Sequence, residues 1–165
     1  SPAAVPFLKK WIPEPYGTVR VKAALIGRDS LSMAHEGFSR VGSRITHTRT
    51  VSLAEGKMTV IDEFGGVGLH DISLRWHFAP GFSLDADNAG FVRLISPECT
   101  VLLASSAADA DKTVACRASF YIASNEGGWS ALRYGLPEPS LAAHVRGRYT
   151  FPAVITTTRL SFRSV

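Results

Sequence analysis

The sequence predicts an all-β protein, an antiparallel β-sandwich. Two observations carry this. No segment sustains the three-and-four spacing of apolar residues that an amphipathic helix needs. Short runs of alternating apolar and polar residues instead recur along the chain, with Gly, Pro, Asn and Asp in the gaps between them.

The runs can be taken in order. Residues 18–25 alternate Val19, Val21, Ala23 and Leu25 with polar or small neighbours. Residues 45–53 put Thr46, Thr48, Thr50 and Ser52 on one face and His47, Arg49, Val51 and Leu53 on the other. Val51 and Leu53 are expected to face the core. Residues 57–62 form a short strand, and Gly65-Gly66-Val67-Gly68 reads as a hairpin turn into the next. Residues 71–78 alternate cleanly. Ile72, Leu74, Trp76 and Phe78 face one way, and Asp71, Ser73, Arg75 and His77 the other. Residues 90–95, 99–105, 113–122, 140–145 and 153–162 complete the set. Pro6, Pro13 and Pro15 make residues 1–16 an irregular lead-in, leaving 17–165 as the sandwich domain.

Composition bounds the function. The chain has 165 residues, 45% of them hydrophobic and 19% charged, which suits one globular domain with a real core. No apolar run approaches the ~18 residues that would span a bilayer. The first residues, Ser1-Pro2-Ala3-Ala4, carry neither an initiator Met nor a signal pattern. The net charge is +4, and Arg supplies most of the positive side. Arginine forks suit carboxylate, sulfate and phosphate, so an acidic polymer is one reading and a solubilising surface the other. Nucleic acid is disfavoured, because Lys and aromatic residues do not interleave on one face. Cys99 and Cys116 are the two cysteines. The hairpin register expected for their strands sets them out of line, which argues for two thiols.

Candidate chemistry is sparse. On residues 45–53, His47 and Arg49 share the side of Val51. An unpaired buried guanidinium costs several kcal/mol, so Arg49 must reach an anion, and Asp62 or Glu63 is nearest across a hairpin. The plain reading is a structural ion pair that orients His47, and the functional one is a cationic cleft for acidic sugars. His77 shares a face with Arg75 and Asp71. With His47 and Asp62 it would make a two-His, one-carboxylate set, but no compact metal signature supports this, and no metal or cofactor is expected. His35 and His70 read as turn or strand-end residues, and His144 as solvated. Trp129, Arg133 and Tyr134, before a rigid Pro137-Glu138-Pro139 turn, form the best sugar-binding cluster. Their plain alternative is capping the end of a sandwich. No nucleophile elbow or phosphate loop is present.

Several segments together resemble one family. They are Ala34-His35-Glu36-Gly37-Phe38, His47-Thr48-Arg49-Thr50-Val51, Val60-Ile61-Asp62 with Gly66-Val67-Gly68-Leu69-His70, and Leu74-Arg75-Trp76-His77-Phe78-Ala79-Pro80. Gly128-Trp129-Ser130, Tyr134-Gly135, Glu138-Pro139, Phe151-Pro152 and Thr156-Thr157-Thr158 follow in order. This series is similar to the closing part of heparinase II/III-type polysaccharide lyases, over roughly residues 34–160.

The resemblance implies a β-sandwich that follows an α/α toroid. In such lyases the toroid supplies a catalytic Tyr and a neutralising Asn or His. A His-x-His-x-Asp segment, an Asp-Pro-Gly and an Ala-His-Asn carry a further His and the metal ligands of zinc-bearing members. None of these occurs here, so the chain is expected to be the non-catalytic C-terminal domain of a larger enzyme. It would support the toroid and wall the cleft for a uronate- or sulfate-bearing polysaccharide cleaved by β-elimination. His47, Arg49, Arg75, His77, Trp129, Arg133 and Tyr134 would touch that substrate, in the bacterial periplasm or outside the cell. The rivals are a free-standing carbohydrate-binding module and an interaction domain without glycan affinity.

Overall fold

The computed structural model describes residues 21–25, 28–38, 44–88, 91–109, 113–116, 118–122, 128–133 and 135–163. At 21, 23–25, 86–88, 113–116, 118–122, 132–133 and 162–163 it describes the backbone alone. The expected lead-in at 1–16 and Tyr134 lie outside the described residues.

Every element among the described residues is a strand. They are β1 Val21–Leu25, β2 Ser30–His35, β3 Thr46–Ala54, β4 Lys57–His77, β5 Ser83–Asn88, β6 Phe91–Ile95, β7 Cys99–Ala108, β8 Thr113–Cys116, β9 Ala118–Ile122, β10 Trp129–Arg133, β11 Leu136–Pro139 and β12 Leu141–Arg163. One antiparallel path runs β1-β2-β3-β4-β12-β7-β6-β5, with β8 on β7 and β9 on β12, and β10 and β11 pair separately.

The two long strands make the sandwich. The first half of β4 pairs with β3 on one side and with the second half of β12 on the other. The second half of β4 pairs with the first half of β12, which also takes β9. Arg49, beside Asp62 on the first half of β4, has its guanidinium 5.5 Å from the Trp76 ring on the second half. The strand therefore doubles over, and its halves belong to facing layers.

This corrects the hairpin expected at residues 65–68. The ladder runs straight through them, because β4 keeps its partner β12 on both sides. Phe64 pairs with Ala153 and Gly68 with Phe151, so Gly65, Gly66 and Val67 stand against Pro152 alone. Proline has no N–H to give the ladder, and the facing strand bulges. Gly66 and Gly68 sit at φ 138° and 94°, where a side chain is strained. For the same reason the runs 140–145 and 153–162 are one strand. The run 113–122 instead divides, since β8 pairs with β7 and β9 with β12.

The core lies between the layers. Val92, Leu94, Val101, Leu103, Ala107 and Ile155 meet Ile72, Leu74, Phe78, Leu141, Ala143 and Val145. Leu94, Val101, Val145 and Ile155 have no exposed surface. Full burial of one such side chain stabilises by about 1.5–3 kcal/mol. Cross-strand hydroxyls lock β2 onto β3, with Ser30 Oγ 3.0 Å from Ser52 Oγ and Thr50 Oγ1 donating to Ser32 Oγ at 3.1 Å. Leu53 has the expected parity, but at 57% exposure it lies past the core, next to the Glu55-Gly56 turn. Ser105 stands opposite Cys116, which leaves Cys99 six residues out of register, and Cys99 is a free thiol.

Candidate functional site

A polar cluster sits on the inner face of β2, β3 and β4. Pairing places His35 opposite His47, His47 opposite Phe64 and Arg49 opposite Asp62, and strand alternation turns all of them inward. Asp62 is wholly buried and takes three hydrogen bonds. His47 Nε2 donates to Oδ1 at 2.6 Å, Arg49 Nε to Oδ1 at 2.7 Å and Arg49 Nη2 to Oδ2 at 3.1 Å. Burial alone would raise the Asp62 pKa. The hydrogen bonds and charges of His47 and Arg49 outweigh it and hold the carboxyl below its ordinary value.

The hydrogen bonds also orient the histidines. Gly37 N–H donates to His35 Nδ1 at 3.2 Å. Burial, and then the charge of His47, lower the His35 pKa and favour its neutral ring. His35 Nε2 lies 3.1 Å from His47 Nδ1, so contacts run from Gly37 through the two rings to the carboxylate. Aromatic rings pack the chain in place: His47 lies parallel to Phe64 with centroids 4.6 Å apart, and Phe38 leans on His35 at 5.3 Å.

Of the residues expected to meet substrate, His47 and Arg49 come together here. Their hydrogen bonds go to Asp62, as the ion-pair reading requires, while Glu63 points out of the other face. Arg75 and His77 are exposed on the outer face of the second half of β4, away from the cluster. Trp76 meets Arg49, but His77, next along the strand, is exposed on the opposite face, so the set His47, Asp62 and His77 is not assembled among the described residues. Trp129 is 46% exposed on the β10–β11 ribbon, and Arg133 ends β10. The Pro-Glu-Pro segment is strand β11 rather than a turn. Trp129 pairs with Pro139, and the chain reverses at Gly135, whose φ is 77°.

Three histidines depart from their expected roles. His70 lies within β4, paired with Tyr149, rather than at a turn or strand end. His35 does end a strand, but it also extends the cluster. His144 is fully buried rather than solvated. The run Leu141-Ala142-Ala143-His144-Val145 is apolar at both parities, the mark of a strand covered on both faces.

The model of the family described as heparinase II/III-like, C-terminal, matches residues 7–159. The chain belongs to the heparinase II/III-like C-terminal domain family. No curated protein matches it by sequence. Among solved structures, a heparinase III is similar at 12% identity and a TM-score of 0.63, with 90% of this chain and 22% of that one covered. The heparan sulfate lyase HepC from Pedobacter heparinus is similar at 12% identity and a TM-score of 0.59, with 98% and 26% covered. At such identity the likeness concerns the fold, and the chain spans about a quarter of the length of these proteins. The heparinase II/III-like domain thus folds as a bent two-layer β-structure with its most polar cluster turned inward.

Proposed function

We propose that this chain is the non-catalytic β-sandwich of a heparinase II/III-like polysaccharide lyase. It supports a helical toroid and walls one side of the cleft that holds an acidic polysaccharide. The enzyme would act in the bacterial periplasm or outside the cell. The observation that carries this is the state of Asp62. Elimination needs a base that reaches the proton α to the uronate carboxyl and a group that neutralises that carboxylate. Asp62 is without exposed surface and is bound to Arg49 and His47. His47 Nε2 and the Nε and Nη2 of Arg49 bond to it in return. Such a cluster braces β3 against β4 and leaves proton transfer to another part of the enzyme.

The test is an assay of this chain on heparin, heparan sulfate and alginate, following unsaturated uronate absorbance. No turnover is expected. Sustained turnover that Asp62→Asn abolishes would overturn the proposal.

The exposed Trp129 favours a second reading, a carbohydrate-binding module, since sugar C–H faces stack on such rings. It predicts saturable glycan binding that Trp129→Ala or Tyr134→Ala removes.

A further inference from the structure

We propose that the outer face of the first layer is the interface at which two copies of this chain pair. The face belongs to β2, β3, β4, β12 and β7, which are neighbours in the sheet. The first half of β4 and the second half of β12 lie at its centre. The inference goes beyond the reading of the chain as a lyase domain and does not depend on it.

Register lays the face out in rows. Ser32, Thr50, Ile61, Thr156 and Ser106 make one row, and Ser30, Ser52, Thr59, Thr158 and Ala104 make the next. Neither row holds a charge. Thr48, Glu63 and Val154 lie beyond the first row, and Lys57, Leu160 and Leu102 beyond the second. Lys57 and Glu63 are the charged residues among the described outward positions of these five strands in this layer. The other halves of the same two long strands differ. Their outer face carries Asp71, Arg75, Arg146 and Arg148, the pattern of a wetted sheet.

The plain alternative is that Thr and Ser simply face water, since β-branched residues suit any half-buried pleated surface. Three observations favour a second copy. First, hydroxyls on the face bond one another. Ser30 Oγ is 3.0 Å from Ser52 Oγ, and Thr50 Oγ1 donates to Ser32 Oγ at 3.1 Å. Covering them leaves those partners in place, so little hydrogen bonding is lost. Second, the area suffices. Five strands about 4.8 Å apart, over residues 57–64 at about 3.4 Å each, give a face of roughly 24 by 27 Å. Two copies would bury roughly 1,300 Å², inside the range of about 1,200–2,000 Å² for specific interfaces. Third, the two charges fit a two-fold axis. Lys57 and Glu63 stand equally far on either side of Val60, at opposite ends of the uncharged rows. An axis lying in the face and crossing β4 at that midpoint turns the strand end for end. It sets Lys57 of each copy over Glu63 of the other, and Ile61 over Thr59. Neither charge has an ion pair among the described residues. A purely apolar partner would bury both without counter-charges, whereas a second copy supplies them.

Sedimentation velocity over a concentration series reads the association of this chain, and thermal melts show that each variant folds. A dimer is expected. Thr156→Arg, at the centre of the face, should weaken it by about tenfold or more, and Ser73→Arg, on the outer face of the other layer, should not. Lys57→Glu and Glu63→Lys should each weaken self-association, because like charges then meet across the axis. The double variant should recover it. An equimolar mixture of the two single variants should pair more tightly than either alone, since both contacts are then complementary. A chain that stays monomeric at about 100 μM overturns the inference. So does a dimer that Thr156→Arg leaves intact or that Ser73→Arg weakens equally, and so does a mixture of single variants that pairs no better than each by itself. The turnover assay of the non-catalytic reading stands apart from all of these results.

Discussion

Arg49 holds Asp62 by both arms of its fork, with Nε 2.7 Å from Oδ1 and Nη2 3.1 Å from Oδ2. The carboxylate has no contact with solvent, whereas the guanidinium is partly exposed beside Trp76. The anion is therefore the partner that depends on the pair.

Removing the pair's acid should be costly. Asp62→Asn leaves a guanidinium and an imidazole aimed at an amide that also donates. A loss of about 3–5 kcal/mol is expected, the cost of breaking a buried ion pair from one side. Urea midpoints measure it. Arg49→Met and Asp62→Asn should cost less together than the sum of the two, since each removes the same interaction. Strict additivity would contradict the geometry.

Stability should fall with acid in two stages. His35 has a folded pKa below its ordinary 6.5, so the unfolded chain takes up its proton first. Its contribution is complete above pH 6.5 and declines as the pH drops through the folded value. Asp62 is likewise depressed below 3.8, so its contribution is present above that pH and is lost on further acidification. Melting temperature measured from pH 8 to pH 3 should therefore begin to fall near pH 6.5. His35→Gln should remove the first stage and keep the second. An unchanged profile in that variant would refute the His35 assignment.

Gly147 should not tolerate a methyl group. A Cβ there would overlap the hydroxyl end of the Tyr149 side chain, which is itself buried. Gly147→Ala is expected to cost about 1–3 kcal/mol through overpacking. Tyr149→Ala would be destabilising alone, but in the double variant the clash is gone and the costs should not add. Calorimetric melts of the four proteins close the cycle.

The bulge offers a graded comparison. Gly66→Ala combines φ 138° with a Cβ only 3.2 Å from the Arg44 carbonyl oxygen, whereas at Gly81 (φ 96°) nothing lies within 4 Å. Backbone strain alone costs of order 1–3 kcal/mol. Gly66→Ala should be the more destabilising of the two in urea, and the reverse order would argue against the bulge as described.

Much of this architecture was legible from residue alternation. The inward set Ile72, Leu74, Trp76 and Phe78 followed from period two, as did the shared face of His47 and Arg49. The demand that a buried guanidinium find an anion led to Asp62 or Glu63, and only the pairing of β3 with β4 selects Asp62. What failed were the joins. Gly65-Gly66-Val67-Gly68 has the composition of a turn, and only pairing with Pro152 makes it a bulge inside one strand. Local sequence does not reveal what lies opposite. β2 was missed because Ser30, Ser32 and His35 lack the β-branched and aromatic side chains that signal a strand. Two hydroxyl contacts with β3 add to its backbone pairing. The burial of His144 is hidden for a related reason: its own polarity masks the signal of the apolar residues at both parities around it.

β4 and β12 each pass through both layers, and this has a mechanical consequence. There is no seam along which one layer can peel from the other, because separating them means tearing the same two strands at the bend. Unzipping either strand from one end strips partners from both sides of the molecule in turn. Amide hydrogens along 57–77 and 141–163 should accordingly exchange at one common, slowest rate, set by the melting of the whole unit.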